Sequence, residues 1–368
     1  MVRENEQNLC VGCGVCAVSC PLKCLTIQLD ENGFYQPTCD EEKCSHCNLC
    51  DKICPKYMVI PEKRPISVLS AVTRNEKILR TTSSGGLCYE IARQALSEGK
   101  KVCACVYNYE LHRAEHAVID NIEDLERAKG SKYIQSYTAD AFSRLFDGNE
   151  WVVIGTPCQI AAIDAMAKVR RCRGKLLLVD FFCHGTPSMN LWKKYIHENG
   201  GHDIDKIDFR SKEFGWHKFS LRFVYKNGDS HSDYRKNMFY NFFFGHYCLG
   251  EACYSCKFKA LNSVADVRVG DFWGNKYIDD KKGVSCCITF NENGENAVRA
   301  LSSWCVIQDE QISQVLEAQM TQSPFCPSQR NKVIERLKGK RKLNTIYNTT
   351  LLFYRFKCKI KDIMRKMR

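Results

Sequence analysis

One cysteine pattern occurs twice near the start of the chain and restricts what that region can fold around. Cys10-x2-Cys13-x2-Cys16-x3-Cys20-Pro21 returns 34 residues later as Cys44-x2-Cys47-x2-Cys50-x3-Cys54-Pro55. Three thiolates spaced in this way sit on one curling loop and bind three irons of a 4Fe–4S cube. The fourth points away and reaches the other cube. The spacing therefore assigns one cluster to Cys10, Cys13, Cys16 and Cys54, and a second to Cys44, Cys47, Cys50 and Cys20. The prolines stop the chain from folding back into a cluster. Gly12 and Gly14 let backbone N–H groups approach the sulfurs. Zinc sites use two cysteine pairs with a spacer, not a triple followed by Cys-Pro and given twice. Cys24 and Cys39 fall outside both motifs and read as packing residues.

Ten of the 24 cysteines lie in residues 1–54. The first residues carry Glu4 and Glu6 and no apolar stretch, so they do not read as a secretory leader. A cytoplasmic setting is expected, where thiols stay reduced and clustered cysteines are metal ligands. No run of about 18 apolar residues suggests a membrane span. The net charge of +12 is uneven: thirteen Lys and Arg from Lys332 to Arg368 face only Glu335 and Asp362. The body is close to neutral, which argues against nucleic acid as a partner.

Four segments are expected: residues 1–60, 66–150, 151–325 and a basic tail over 326–368. In the first, Leu25–Leu29 alternates and Asn32-Gly33 is a hairpin signal. Pro61–Pro65 reads as a linker. Beyond it, the pattern predicts strands at Ile66–Val72, Lys101–Tyr107, Trp151–Ile154 and Leu176–Phe182. Helices are expected over Leu87–Ser97, 121–129, 138–147, Cys158–Arg170 and Pro187–Asn199. This alternation is that of a mixed α/β unit with a partly parallel sheet. Further strands are expected at Lys206–Phe209, Phe219–Tyr225, Ala265–Val269 and Cys286–Phe290, then a helix over Gly294–Ser303. The tail, with Leu351-Leu352-Phe353 among basic residues, reads as a solvated or frayed end. The alternative is an amphipathic helix in weak contact with a membrane surface.

A second cysteine group, Cys248-x4-Cys253-x2-Cys256, is suited to a third cluster, to a zinc site or to buried structural thiols. A fourth ligand would come from Cys158 or Cys183, both at the ends of expected strands. Thr81–Gly86 precedes a helix and could present N–H groups to a phosphate. Gly155-Thr-Pro157 is a similar, weaker signal, and no G-x-G-x-x-G follows a strand. His184 and His217 are the candidate proton handlers, with structural roles the alternative. Arg210, Lys212 and Lys218 either receive an acidic substrate or face solvent.

The N-terminal unit resembles bacterial two-cluster ferredoxins. Ser83-Ser-Gly-Gly86, Gly130-Ser-Lys-Tyr133, Gly155-Thr-Pro-Cys-Gln159, Cys183-His-Gly185, Cys253-Tyr-Ser-Cys-Lys257 and Gly270-Asp-Phe-Trp-Gly274 follow in order. Together they resemble the beta subunits of coenzyme F420 hydrogenases and dehydrogenases, a core also found in plant hydroxymethyl-chlorophyll reductase. The resemblance implies an α+β chain, with a bacterial-ferredoxin-like domain followed by a mixed α/β flavin-binding core. It implies FAD near Ser84, Gly85, Gly86, Lys132, Tyr133, Thr156 and Gln159. It also implies a third 4Fe–4S cluster on Cys253, Cys256 and Cys248, with Cys158 as fourth ligand and Cys183 as the alternative. The function implied is a flavin-dependent iron–sulfur oxidoreductase. A flavin couples two-electron hydride exchange to one-electron clusters. Partners would be an electron carrier such as ferredoxin, or a redox subunit, with a deazaflavin or small organic molecule as substrate. The competing reading is a non-catalytic electron-transfer subunit of a larger complex.

Overall fold

The computed structural model describes residues 9–60, 62–234 and 237–352. In the cysteine-rich unit, β1 (Leu25–Leu29) and β2 (Tyr35–Cys39) form the expected antiparallel hairpin, with Leu25 opposite Cys39. Gly33 makes its turn at φ +81°, a conformation that costs glycine little.

The remaining strands are β3 (Ser67–Thr73), β4 (Lys101–Asn108), β5 (Arg113–Ile119), β6 (Ser136–Tyr137), β7 (Trp151–Ile154), β8 (Leu176–Phe181), β9 (Ile204–Ser211), β10 (Ser220–Tyr225), β11 (Ser230–Asp233), β12 (Val267–Asp271), β13 (Ser285–Thr289) and β14 (Cys305–Asp309). Nine of them build one sheet in the order β14-β3-β13-β12-β8-β7-β4-β5-β6. Its centre, β12-β8-β7-β4, is parallel. On both sides of that block the sheet turns antiparallel, at β12/β13 and at β4/β5. β9, β10 and β11 form a separate antiparallel sheet.

The central strands are apolar on both faces because both are covered. On one face Val102, Val152, Val179 and Val267 pack with Leu87, Ile91 and Ala95 of helix Leu87–Ser97. On the other, Val153, Leu176 and Leu178 pack with Ile160, Ile163 and Met166 of helix Pro157–Val169. Cys13, Val15 and Ile53 join that second cluster, so the ferredoxin-like unit shares a core with the sheet.

Polar contacts fasten the same junction. Gln135 accepts from Tyr35 N (2.9 Å) and donates to Val11 O (3.2 Å). Thr138 Oγ1 donates to Cys13 O at 2.9 Å, and Met189 N donates to Gly33 O at 2.8 Å. Lys257 Nζ donates to Lys56 O and Met58 O at 2.8 and 2.6 Å. In the segment expected to be a linker, Lys63 Nζ reaches Val264 O and Ala265 O, both at 3.3 Å; Pro61 lies outside the described residues.

Three expectations need correction. Only Ala139–Phe142 of the segment 138–147 is an α-helix, after which the chain turns. Strands β5 and β14 were not anticipated, because Arg113–Ile119 and Cys305–Asp309 lack clear alternation and take their form from pairing with β4 and β3. The described part of the tail is not a frayed end. Helices Arg330–Lys338 and Leu343–Tyr347 bury Val333, Ile334, Leu337, Leu343 and Ile346 in an aromatic core with Trp192, Phe239 and Phe242. Leu351 is buried there too, which leaves no apolar stripe for a membrane up to that point. Residues 353–368, including Phe353, lie outside the described residues. No helix among the described residues is long and apolar enough to cross a membrane.

Candidate functional site

Parallel strands send their following loops to the same edge of a sheet. β7 and β8 are neighbours, with Ile154 beside Val179, and β8 pairs with β12, with Phe181 beside Val269. The loops Gly155–Cys158 and Phe182–Gly185 therefore open side by side. They meet Gly250–Lys259 around a cavity of about 1140 Å³.

Cys158, Cys183, Cys253 and Cys256 all line this cavity. Burial makes Cys158 hard to ionise, and charge on Cys183, Cys256 or Cys253 would make it harder still. Burial likewise pushes Cys183 up to about 12, against the pull of Lys259. Such thiols become thiolates when cations hold them. Gly185 supplies the space: a Cβ there would stand 3.3 Å from Cys253 Cβ and 3.5 Å from its sulfur. Lys259 Nζ donates to Cys183 O at 2.6 Å, which sets its amino group beside the four cysteines. Four converging half-buried thiols with an adjacent cation fit a 4Fe–4S cluster.

Cys248 does not join them. Its side chain is fully buried in the aromatic core beside Leu249, and the charge that reaches it is that of Arg330. The sequence spacing placed it third in the ligand set, but Ser188 N binds Cys248 O and ties the residue to the start of helix Met189–Glu198. Cys183, not Cys248, is the cysteine that lines the cavity with Cys158, Cys253 and Cys256.

Cys10, Cys13, Cys16 and Cys54 converge in the ferredoxin-like unit, where Cys13 feels charge on Cys16, Cys10 and Cys54. Burial raises Cys10 to about 11 and Cys16 to about 12. Gly12 N donates to Cys10 Sγ at 3.3 Å, an N–H···S contact of the kind that tunes a cluster. Of the second set, Cys20, Cys44 and Cys50 are half-buried, and Cys47 is exposed. Cys10, Val11, Pro55 and Lys56 also form part of the wall of the large cavity, so the first cysteine loop abuts the same space as the group of four.

Of the residues expected around a flavin, Ser84, Gly86, Lys132, Tyr133, Thr156 and Gln159 line the cavity. Gly86 has φ +88° at the start of helix Leu87–Ser97. Gly85 does not line it. Its backbone lies against β3 and β13, where a Cβ would meet Ala71 O at 2.2 Å and Ser285 N at 2.6 Å. The loop is stitched in place by Ser83 Oγ accepting from Ser131 N (2.8 Å) and by Ser84 Oγ donating to Val284 O (2.8 Å). From behind, Lys212 Nζ donates to Ser84 O and Leu79 O at 2.7 and 2.8 Å.

Lys132 donates to Cys105 O, Ala128 O and Lys129 O at 2.8–2.9 Å, and burial draws its ammonium down to about 8. Gln159 Oε1 accepts from Thr156 N (2.9 Å) and its amide donates to Ser136 Oγ (3.0 Å). Both residues frame the cavity chiefly by holding backbone. Tyr133 packs on Phe243 and Phe244.

The two histidines part company. His184 lines the cavity against Phe243 and His246, and neither ring nitrogen has a hydrogen-bond partner among the described residues. Burial lowers its pKa to about 3, so the ring is neutral at pH 7. His217 instead bonds Tyr277 O at 3.1 Å, stacks near Trp216, and is not part of the cavity wall. It is structural. Arg210 is buried in the wall, paired with Asp271 and resting on Phe219 and Trp273, while Lys218 is exposed. Asp271 and Trp273 were given no role by the sequence. Their motif, Gly270–Gly274, was visible, but not that it would meet Arg210.

Residues 148–314 match the family described as the C terminus of the beta subunit of coenzyme F420 hydrogenase/dehydrogenase. Residues 9–58 match the 4Fe-4S dicluster domain. No curated protein matches significantly. Among 13 matching chains in solved structures is one from the xenon-derivatised F420-reducing NiFe hydrogenase complex of Methanosarcina barkeri. It shares 17% identity, with 68% of this chain and 85% of that one covered and a TM-score of 0.49. Two sequence matches in tandem, with the dicluster cysteines in front of a mixed α/β core, describe an iron–sulfur, electron-transferring chain whose residues 148–314 are those of the coenzyme F420 hydrogenase/dehydrogenase beta-subunit family.

Proposed function

We propose that this chain is a flavin-dependent iron–sulfur oxidoreductase of the cytoplasm. It passes electrons between two ferredoxin-type clusters, a third cluster on Cys158, Cys183, Cys253 and Cys256, and FAD in the large cavity. The carrying observation is that one cavity of about 1140 Å³ is bordered by the Thr82–Gly86 loop, the four converging cysteines and the first cysteine loop. When bound, FAD would exchange a hydride with a deazaflavin or a small organic substrate and single electrons with iron.

The chain's own residues supply positioning. The loop ahead of helix Leu87–Ser97 would hold phosphate, stiffened by Lys212 and Ser131. Phe243, Phe244 and Tyr133 offer an aromatic surface for a ring system. Arg210 has Nε and Nη2 buried without a partner among the described residues, and places a fixed positive charge where an acidic group could be received. His184, neutral and facing the same space, is placed to accept or donate a hydrogen bond there. Cys47, exposed, marks the edge at which an external carrier or partner subunit would exchange electrons.

The test is anaerobic purification followed by flavin and iron quantification. One FAD per chain with about twelve irons supports the reading. Iron without flavin favours an electron-transfer subunit that docks on a separate enzyme.

A further inference from the structure

Cys24 and Cys39, outside both cluster motifs, are not dispersed packing residues. Cys39 closes β2 directly opposite Leu25, the residue after Cys24, and Asp40 N donates to Cys24 O at 2.8 Å. The turn Asp40–Cys44 then brings the next motif back over the hairpin's open end, with Cys44 N donating to Glu41 O at 3.3 Å. As a result the sulfurs of Cys24, Cys39 and Cys44 all lie within 4.8 Å of one another. Cys20 Sγ lies 3.3 Å from Cys24 Sγ.

That spacing has a chemical meaning. Four thiolates on one tetrahedral ion, with metal–sulfur bonds of about 2.3 Å, stand about 3.8 Å apart. Thiolates of a cube bind four different irons and stand much farther apart. Three thiols within 4.8 Å of one another, with a fourth 3.3 Å from one of them, suit a single soft ion. Cys24 is buried and Cys39 and Cys44 are half-buried, so an ion there would be shielded yet reachable. Exposed Glu41 and His46 have ligand atoms within 4.8 Å of the Cys44 sulfur, which gives an arriving ion a foothold at the surface.

We propose that Cys24, Cys39 and Cys44, completed by Cys20, form a mononuclear thiolate site for one zinc or iron(II) ion. Cys20 and Cys44 also belong to the ligand set of the second cluster, so the two occupancies exclude each other. The site holds the ion while the second cluster is absent, and building that cluster displaces it. Each thiol that binds the ion releases its proton.

The test separates the two ligand sets. Cys47→Ser/Cys50→Ser removes two ligands of the second cluster and leaves the proposed site whole. The full-length variant, purified anaerobically and exposed to zinc chloride, is expected to retain one zinc per chain. With cobalt(II) it is expected to show the sulfur-to-cobalt charge-transfer absorption of a tetrahedral thiolate site. Adding Cys24→Ser/Cys39→Ser is expected to weaken zinc binding at least tenfold, while the first cluster's EPR signal reports that the unit remains folded. Equal zinc uptake with and without Cys24 and Cys39, or none in either protein, overturns the site. In the unaltered chain, reconstitution of both ferredoxin-type clusters with iron and sulfide is expected to expel the bound zinc. Zinc retained beside two complete clusters overturns the shared ligands.

Discussion

Arg268 grips Asp180 across the adjoining parallel strands β12 and β8 with two hydrogen bonds, Nε to Oδ1 and Nη2 to Oδ2, each 2.7 Å. Both side chains are buried. The remaining guanidinium donors hold Ala260 O and Asn262 O, and Ser263 Oγ donates to Asp180. One ion pair thus anchors the segment that follows Cys253 and Cys256 to the strand that precedes Cys183. Arg268→Met leaves Asp180 buried without its cation and is expected to cost about 3–5 kcal/mol. Adding Asp180→Leu should recover part of that loss. Anaerobic urea denaturation of the three proteins checks it, read as midpoint shifts at constant slope.

The position of Cys183 leads to a second expectation. Cys183→Ser should lower bound iron from about twelve to about eight per chain, the loss of one cube. Cys248→Ser, in the aromatic core, should leave iron unchanged. Iron and acid-labile sulfide analysis of anaerobic preparations distinguishes them; an iron loss confined to Cys248→Ser would restore the spacing-based assignment.

Gly12 has φ +63°, and a Cβ there would come 2.7 Å from Tyr35 O and 2.1 Å from Gln135 Nε2. Gly12→Ala is expected to cost about 1–3 kcal/mol in backbone strain alone. It should also disturb the N–H···S contact to Cys10. The reduced first-cluster EPR signal should shift or weaken, while iron bound by Cys253 and Cys256 is unaffected.

His116 is enclosed between Ser136 Oγ (3.0 Å) and Ile154 O (3.1 Å), and burial lowers its pKa to about 4 from an ordinary 6.5. Between these values the unfolded chain binds the proton and the folded chain does not. This residue's contribution therefore makes stability rise with pH from about 4 to 6.5 and level off above, by about 3 kcal/mol in all. His116→Gln removes that slope. Stability of the parent minus that of the variant, followed from pH 7 downward, should fall through this window and not change above it.

Much of the fold was legible. Trp151–Ile154 and Leu87–Ser97 have the expected bounds, because short apolar runs and a 3.6-residue period act locally. Asn32-Gly33 marked its hairpin for a similar reason, since few residues accept its backbone angles. β5 and β14 were illegible because pairing with a neighbouring strand, not local pattern, makes them strands. The histidines show the same limit: His184 and His217 are equally plausible as letters, and only the strand order puts one at the cavity and the other against Tyr277.

By itself the sequence determined that the chain's first 54 residues carry two interlocking cysteine sets, because a cube's ligands there follow one another at fixed short intervals along the backbone. The group of four around the cavity has no such interval: Cys158 and Cys183 approach Cys253 and Cys256 only because β7, β8 and β12 lie side by side and parallel. The tertiary structure likewise decided that Cys248 is withdrawn into the aromatic core and that Cys24 and Cys39 meet Cys44. Spacing along a chain specifies which thiols can share one loop. Strand order and burial specify which thiols from different loops can share one site.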